Sequence, residues 1–498
     1  MRSGICATIL LALWLAPVVH AADEGAAGRL GAYLDASPAA RTAFWGVRIV
    51  SLDGGGVVFE RNADHLFVPA SNAKLFTTAL ALSRLGPDYR FQTLVLADRT
   101  PGADGVVESL RLVGGGDPNL SGRAIPYSPD AVPGDPLAAI EDLAGQVAAH
   151  GVRSVSADIV GDDSAYVWEP YPDGWSIDDS VWDYGAAVSA LCVNDNTLTL
   201  TLLPGPHRSD PARIKLMPDV DYYDIDNRVR TLPGDRKVTI DRLPGTQQLL
   251  LFGTLPLHDP GDSEALGVGD PALFAASALR DALVRHGITI RGEPRALHLE
   301  RDRIADLRNG PAPDPEGGIE VAHRDSAPLV EDLRITDKTS QNLHAEMALR
   351  AVAKARRHIG SREAGIVEQR LFLDEIGIDH GSYTFSDGSG LSRLDLVTPD
   401  AVVRLLVHMY QSPLRDAWVS LLPVAGQDGT LHARFAGTPA EGRIFAKTGT
   451  LSHASALSGY ARRKDGEMLA FSILVNNYNQ PAAEIREAID RLCALMLD

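Results

Sequence analysis

An α+β fold is what this sequence predicts: an antiparallel sheet flanked by helices, interrupted by a large α/β insertion. Three observations carry the expectation. Strand and helix patterns at the two ends of the chain complement one another. The region between them changes composition, becoming rich in Gly, Pro and Asp with short β-like runs. The chain has 498 residues, 45% of them hydrophobic, which suggests more than one domain.

Met1-Arg2-Ser3, an apolar run from about Ile5 to Val19 and the ending Val19-His20-Ala21 read as a secretory signal peptide over residues 1–21. The run is short for a membrane span, and Cys6 stands too early to be a lipid-attachment cysteine. Ala43–Ser51 and Gly56–Phe59 read as strands around Asp53-Gly54-Gly55, where glycine permits the positive φ of a tight hairpin. Phe67-Val68-Pro69-Ala70 leads into a helix from Ser71 to about Leu85, with Leu75, Ala79 and Leu82 at helical spacing. In the middle, Ser109–Val113 and Thr197–Leu203 are β-like. Asp135-Pro136 opens a helix continued by Leu137, Ile140, Leu143 and Val147, and Pro271–His286 reads as another. Pro311–Gly318 is a linker pattern.

The last third returns to the first pattern. Ser326-Ala327-Pro328 begins a helix carrying Leu329, Leu333 and Ile335, and a second runs from Asn342 to about Ala355. Arg443-Ile444-Phe445-Ala446 is a strand approach to Lys447. Leu457–Arg462 and Met468–Val475 form a hairpin about Asp465-Gly466. Pro481–Met496 closes as a helix with Ile485, Ile489, Leu492 and Met496 on one side. The expected division is a catalytic domain from 23–91 and 315–498, and an inserted region, 92–314, of one or two accessory modules.

The formal charge of −18 comes with no basic stripe, which argues against nucleic acid. Acidity favours solubility and says little about fold. Beyond the leader no apolar stretch is long enough to span a bilayer, so the mature chain is expected to be exported and soluble. Peripheral membrane contact and oligomeric state stay open. Only Cys192 and Cys493 remain in the mature chain. They lack metal-site spacing, and a buried free thiol is expected for each, although an oxidising compartment leaves pairing open. With no H-E-x-x-H or comparable ligand cluster, no metal and no cofactor are expected.

Three separated motifs carry the chemistry: Ser71-Asn72-Ala73-Lys74, Ser340-Gln341-Asn342 and Lys447-Thr448-Gly449. Each alone is ordinary: a helix start, a helix cap, a strand with a polar face. Together they read as the S-x-x-K, S-x-N and K-T-G set of enzymes that form an acyl-ester on serine. A serine hydroxyl needs a base within hydrogen-bond reach, and three residues along a helix put Lys74 on the face of Ser71. Burial and a second cation, Lys447, would lower the Lys74 pKa. The N–H groups of Ser71 and Thr450 are expected to form the oxyanion hole. Ser340 can pass a proton to the leaving amine, and Asn342 can hold a substrate carbonyl and Lys74 together. Gly449 lets a ligand backbone approach. Thr448 and Thr450, on one side of a strand, can bind a carboxylate with Lys447.

These motifs resemble the serine penicillin-binding protein and β-lactamase superfamily. The interval from Ser71 to Ser340 is more than twice that from Ser340 to Lys447, unlike a class A β-lactamase. It is similar to the class C low-molecular-mass penicillin-binding proteins, the D-alanyl-D-alanine carboxypeptidase/endopeptidases of the penicillin-binding protein 4 type. Further matches are Gly114-Gly115-Gly116-Asp117-Pro118, Gly161-Asp162-Asp163-Ser164, Gly174-Trp175 with Asp178-Asp179, Asp387-Gly388-Ser389-Gly390-Leu391-Ser392-Arg393 and Asp428-Gly429-Thr430-Leu431. The chain departs at Gln341, where an aspartate is common; the middle position points away from the chemistry.

The resemblance implies a serine β-lactamase/transpeptidase-like domain and a periplasmic D-Ala-D-Ala peptidase. Its substrates would be peptidoglycan stem peptides, and β-lactams would inhibit it covalently. It implies Ser71 as nucleophile, Lys74 as base and Ser340 as relay. Arg393 and an acidic residue of the insertion, Asp162 or Asp163, would meet the peptide's amine-bearing side chain or its surroundings. The rival readings are a β-lactamase, which needs a deacylating base, and a non-catalytic penicillin-sensing or wall-binding protein.

Overall fold

The computed structural model describes residues 24–243, 245–310 and 317–498. The expected leader, 1–21, and most of the expected linker, 311–318, lie outside them. Five antiparallel strands form the central sheet, in the order Ile444–Leu451, Ala454–Arg462, Met468–Asn476, Phe44–Ser51, Val57–Arg61. The first two strand patterns and the last three therefore join into one sheet, and the α+β expectation holds.

Helices cover both faces, so the central strands read as apolar runs rather than as polar–apolar alternation. On one face Ala456, Tyr460, Ala470 and Leu474 pack against helices Ala73–Leu85, Leu329–Thr339, Asn342–Arg357 and Pro399–Gln411. On the other face Leu457, Phe471, Ile473 and Val475 meet Glu24–Ala36 and Ala482–Met496. The closing helix buries Ile485, Ile489, Leu492 and Met496 as its spacing predicts. Each such side chain contributes about 1.5–3 kcal/mol.

The insertion builds its own core. A mixed sheet runs Pro294–Leu299, Ile159–Val167, Leu110–Val113, Gln92–Ala97, Ile319–Asp325. Helices Ala138–Ala149 and Pro271–Arg285 bury Ile140, Leu143, Phe274 and Leu279 in that core. Three smaller three-stranded sheets complete it. Ile319–Asp325, placed by the sequence on the catalytic side of the 314/315 boundary, pairs antiparallel with Gln92–Ala97 and belongs to the insertion's sheet. Backbone pairing across more than two hundred positions decides this, and no local pattern signals it. The insertion's ends meet: Ser326 N donates to Phe91 O at 2.9 Å, and Phe91 N to Ser326 Oγ at 2.9 Å.

Cys192 and Cys493 are both free and buried, one in the insertion and one in the closing helix. Burial pushes both thiols well up. No helix among the described residues is long and apolar enough to cross a membrane.

Candidate active site

Ser71 lies in a 3₁₀ turn, Ala70–Asn72, that runs directly into helix Ala73–Leu85. Ala70 holds φ +49°, a left-handed conformation that costs a residue with a Cβ roughly 1–2 kcal/mol. Neighbours hold it there. A Cβ at Gly390 would stand 1.9 Å from Ala70 O, so the Asp387–Arg393 loop seats against this turn only because position 390 has no side chain. On the opposite side a Cβ at Gly449 would stand 2.8 Å from Pro69 O and 3.1 Å from Ser71 N. Glycine there lets the edge strand Ile444–Leu451 approach the Ser71 backbone itself. Asn72 Nδ2 ties the two together, donating to Lys447 O at 3.0 Å.

Lys74 and Lys447 are both 0% exposed. Lys74 Nζ donates to Ser71 Oγ at 2.9 Å, Asn342 Oδ1 at 2.5 Å and Ser389 O at 2.7 Å. An ammonium has three donors, and all three are used. A neutral amine keeps two donors and one lone pair. With the amide oxygen and the carbonyl able only to accept, the lone pair falls toward Ser71 Oγ. Burial lowers the Lys74 pKa to about 8, against the carboxylates of Asp387, Asp337, Glu346 and Asp395. Lys447 was expected to depress Lys74. It is itself lowered, by burial first and then by Lys74. Burial, rather than a second cation, is what lowers the Lys74 pKa.

Ser340 and Asn342 occupy the turn between helices Leu329–Thr339 and Asn342–Arg357. Ser340 takes φ +64° at the end of the first helix. Its Oγ accepts from Lys447 Nζ at 2.8 Å, and Lys447 Nζ also donates to Thr448 O at 2.9 Å. Asn342 Nδ2 donates to Tyr184 O of the insertion at 2.8 Å. Two arms therefore end on one turn: Ser71–Lys74–Asn342 and Thr448–Lys447–Ser340. The three motifs converge around a half-buried hydroxyl.

Residues 26–496 match the model of the D-Ala-D-Ala carboxypeptidase 3 (S13) family. The chain belongs to that family. It is 36% identical over 457 residues to a D-alanyl-D-alanine carboxypeptidase of Actinomadura sp. (strain R39), covering 89% of this chain and 80% of that one. It is 32% identical to a carboxypeptidase DacB of Mycolicibacterium smegmatis, over 90% and 79% of the two chains. Among solved structures, penicillin-binding protein 4 of Haemophilus influenzae superposes with a TM-score of 0.80 at 21% identity, covering 94% of this chain and 99% of that one, and so shares the fold. S13 membership makes the chain a serine-type D-Ala-D-Ala carboxypeptidase.

In this S13 chain a cleft of about 470 Å³ opens at Ser71, lined also by Ser340, Asn342, Thr450 and Arg393. Thr448, two residues from Thr450 along the strand, donates from Oγ1 to Thr430 Oγ1 at 2.8 Å. Arg393 Nη1 donates to Ser452 O at 3.2 Å. Asp162 is not there. It is buried in strand Ile159–Val167, where Oδ1 accepts from Ser164 N at 3.0 Å and the carboxylate lies 3.7 Å from Arg111. Asp163 is buried too, against Ser189 and His298. Both belong to a strand with sheet neighbours on each side, and their partners lie within the insertion. The cleft's acidic wall is instead Asp178 and Asp179, on the 3₁₀ segment Ile177–Val181, with Tyr184 beside them. Burial raises Asp179. Asp178-Asp179 stood in the sequence as a family match without a role. A paired aspartate pattern does not tell a strand from an open loop.

Asp387 supports the cluster from behind. Its carboxylate accepts from Ser389 N at 3.1 Å, Gly390 N at 2.7 Å, Ser392 N at 2.8 Å and Trp175 Nε1 at 2.8 Å. It thereby fixes the loop that presents Ser389 O to Lys74. Among the described residues no group of His, Cys, Asp or Glu is arranged to hold a metal ion.

Proposed function

We propose that this carboxypeptidase acts through an acyl-enzyme on Ser71, with Lys74 as the base. The observation that carries the reading is the coordination of Lys74 Nζ: two obligate acceptors, Asn342 Oδ1 and Ser389 O, leave its third site to Ser71 Oγ. Ser71 attacks the carbonyl of the penultimate D-Ala of a peptidoglycan stem peptide and gives its proton to Lys74. The Ser71 and Thr450 N–H groups stabilise the oxyanion. Ser340, joined to Lys447, returns a proton to the departing D-Ala amine, and water then releases the acyl group. Lys447, Thr448 and Thr450 receive the terminal carboxylate. A β-lactam enters the same path and stalls at the ester. The same acyl-enzyme can form from a cross-link whose donor ends in D-Ala, which would add endopeptidase activity.

Asp178 or Asp179 and Arg393 are the groups offered to the charged part of the stem's diamino side chain. Their opposite signs and shared cleft support this. The leader sequence supports export and action in the periplasm. The accessory insertion is taken as 92–325, since its last strand belongs to its own sheet.

A fluorescent penicillin tests the reading. Wild-type protein is expected to be labelled covalently and to release D-Ala from a stem pentapeptide. Ser71→Ala is expected to do neither while keeping its circular dichroism. A labelled Ser71→Ala would remove Ser71 as the nucleophile.

A further inference from the structure

Behind the Ser340–Asn342 turn lies a buried polar cluster that none of these steps uses. Gln341 Nε2 donates to Asp195 Oδ2 at 3.0 Å. His344 is fully buried between two carboxylates, Nδ1 at 2.7 Å from Asp332 Oδ1 and Nε2 at 3.1 Å from Asp195 Oδ1. Arg123 pairs with Asp195 through Nη2 and donates from Nη1 to Asn119 Oδ1 at 3.3 Å. Asn119 Nδ2 donates to Asp332 Oδ1 at 3.0 Å. Against burial, Asp332 and Asp195 hold His344 protonated, its pKa raised to about 9, so both ring nitrogens donate at neutral pH. Within these hydrogen bonds the carboxylates of Asp195 and Asp332 face the cations His344 and Arg123, with the buried Asp117 carboxylate close by.

The cluster joins two parts of the chain. Arg123, Asn119 and Asp195 belong to the insertion. Asp332 and His344 belong to the two helices that flank Ser340. Asp195 is moreover held in an uncommon conformation. Asn194, Asp195 and Asn196 have φ of +49°, +56° and +53°, a left-handed region that Asn and Asp tolerate better than other residues with a Cβ but that is uncommon as a run of three. Such a run persists only where surroundings impose it. Here Asn196 Nδ2 donates to Ala187 O at 3.0 Å and Asn194 Nδ2 to Thr197 O at 3.0 Å.

We propose that Asp195 is a positioning residue for acylation, holding the Ser340–Asn342 turn in its reactive geometry through Gln341 and His344. This rests on the roles assigned above to Ser340 and Asn342. Gln341 is the residue between them, and its side chain is the turn's link to Asp195. Released, the left-handed Ser340 relaxes, Asn342 Oδ1 moves off Lys74, and Ser340 Oγ moves off Lys447. Asp195, Gln341 and His344 stand outside the residues lining the cleft. The effect therefore falls more on the bond-forming step than on capture of the ligand.

Stopped-flow reaction of the full chain with a chromogenic β-lactam separates the acylation rate constant from the dissociation constant of the initial complex. Gln341→Leu keeps most of the volume and removes the hydrogen bond; Asp195→Asn keeps the shape and removes the charge. Each is expected to slow acylation about 10- to 100-fold, the scale of a small misplacement of reacting groups. Each should change the dissociation constant by much less than it changes the acylation rate constant. In the double variant the losses should not multiply, because the Gln341 contact is one of those that Asp195→Asn already disturbs. Acylation by Gln341→Leu within about twofold of wild type overturns the proposal, as do losses that multiply. If Asp195→Asn does not fold, the Gln341→Leu rate decides alone. Ser71→Ala separates the two levels. If it still reacts, the active-site reading fails. If it is inert while Gln341→Leu reacts normally, only the positioning role falls.

Discussion

Lys74 shows how a few contacts set a residue's chemistry. Its amine is lowered to about 8 because it is buried, although four carboxylates in its surroundings work the other way. In the proposed mechanism the reactive form is the neutral one, whose fraction rises as pH rises toward that value. Acylation by a neutral β-lactam ester is expected to accelerate from pH 6 upward with an inflection near 8, read as the acylation rate constant at saturating ligand. A flat profile from pH 6 to 9 would remove Lys74 as the acceptor. The i, i+3 spacing of Ser71 and Lys74 was legible in the sequence. The donors and acceptors that direct the lone pair were not, because Ser389 and Asn342 reach Lys74 from elements more than 260 positions away.

Among the elements, the edge strand Ile444–Leu451 and the Ser71 turn depend on one another's shape. The sequence placed Lys447-Thr448-Gly449 on an edge strand, and the strand has one sheet neighbour, Ala454–Arg462. Gly449 reads locally as room for a ligand. Its nearest neighbours are Pro69 O and Ser71 N, which no strand pattern announces. Gly449→Ala is expected to destabilise the protein by about 1–3 kcal/mol through overpacking. It should also slow acylation about 100-fold by moving the Ser71 turn. Thermal melting and stopped-flow acylation measure the two effects, and an unshifted rate would show that the strand and the turn are not in register-critical contact. The helices around Ser340 were legible from their apolar spacing. The left-handed φ of Ser340 was not, since serine carries no preference for it.

For the whole molecule, the question is what the insertion does. Its ends are hydrogen-bonded neighbours, Phe91 and Ser326, so a short linker spans the gap left by excising 92–325. The structure gives the insertion direct contacts at the site, among them Tyr184 O, which accepts from Asn342, and Trp175 Nε1, which donates to Asp387. The excised chain is therefore expected to react with a small penicillin at least about 100-fold more slowly. Undiminished reaction, at a retained melting transition, would show that the insertion does not build the site.

The sequence by itself determined the three motifs, the order of strands and helices that carries them and the two-ended sheet. These follow from local periodicity, from turn-forming residues and from side-chain chemistry, all of which are written within a few positions of one another. Tertiary structure decided that Asp178 and Asp179, rather than Asp162, face the cleft. It also decided that Ile319–Asp325 completes the insertion's sheet and that Gln341 meets Asp195. Each of these turns on which distant backbone comes to lie alongside, and burial, desolvation and hydrogen-bond direction take their values only once that neighbour is in place.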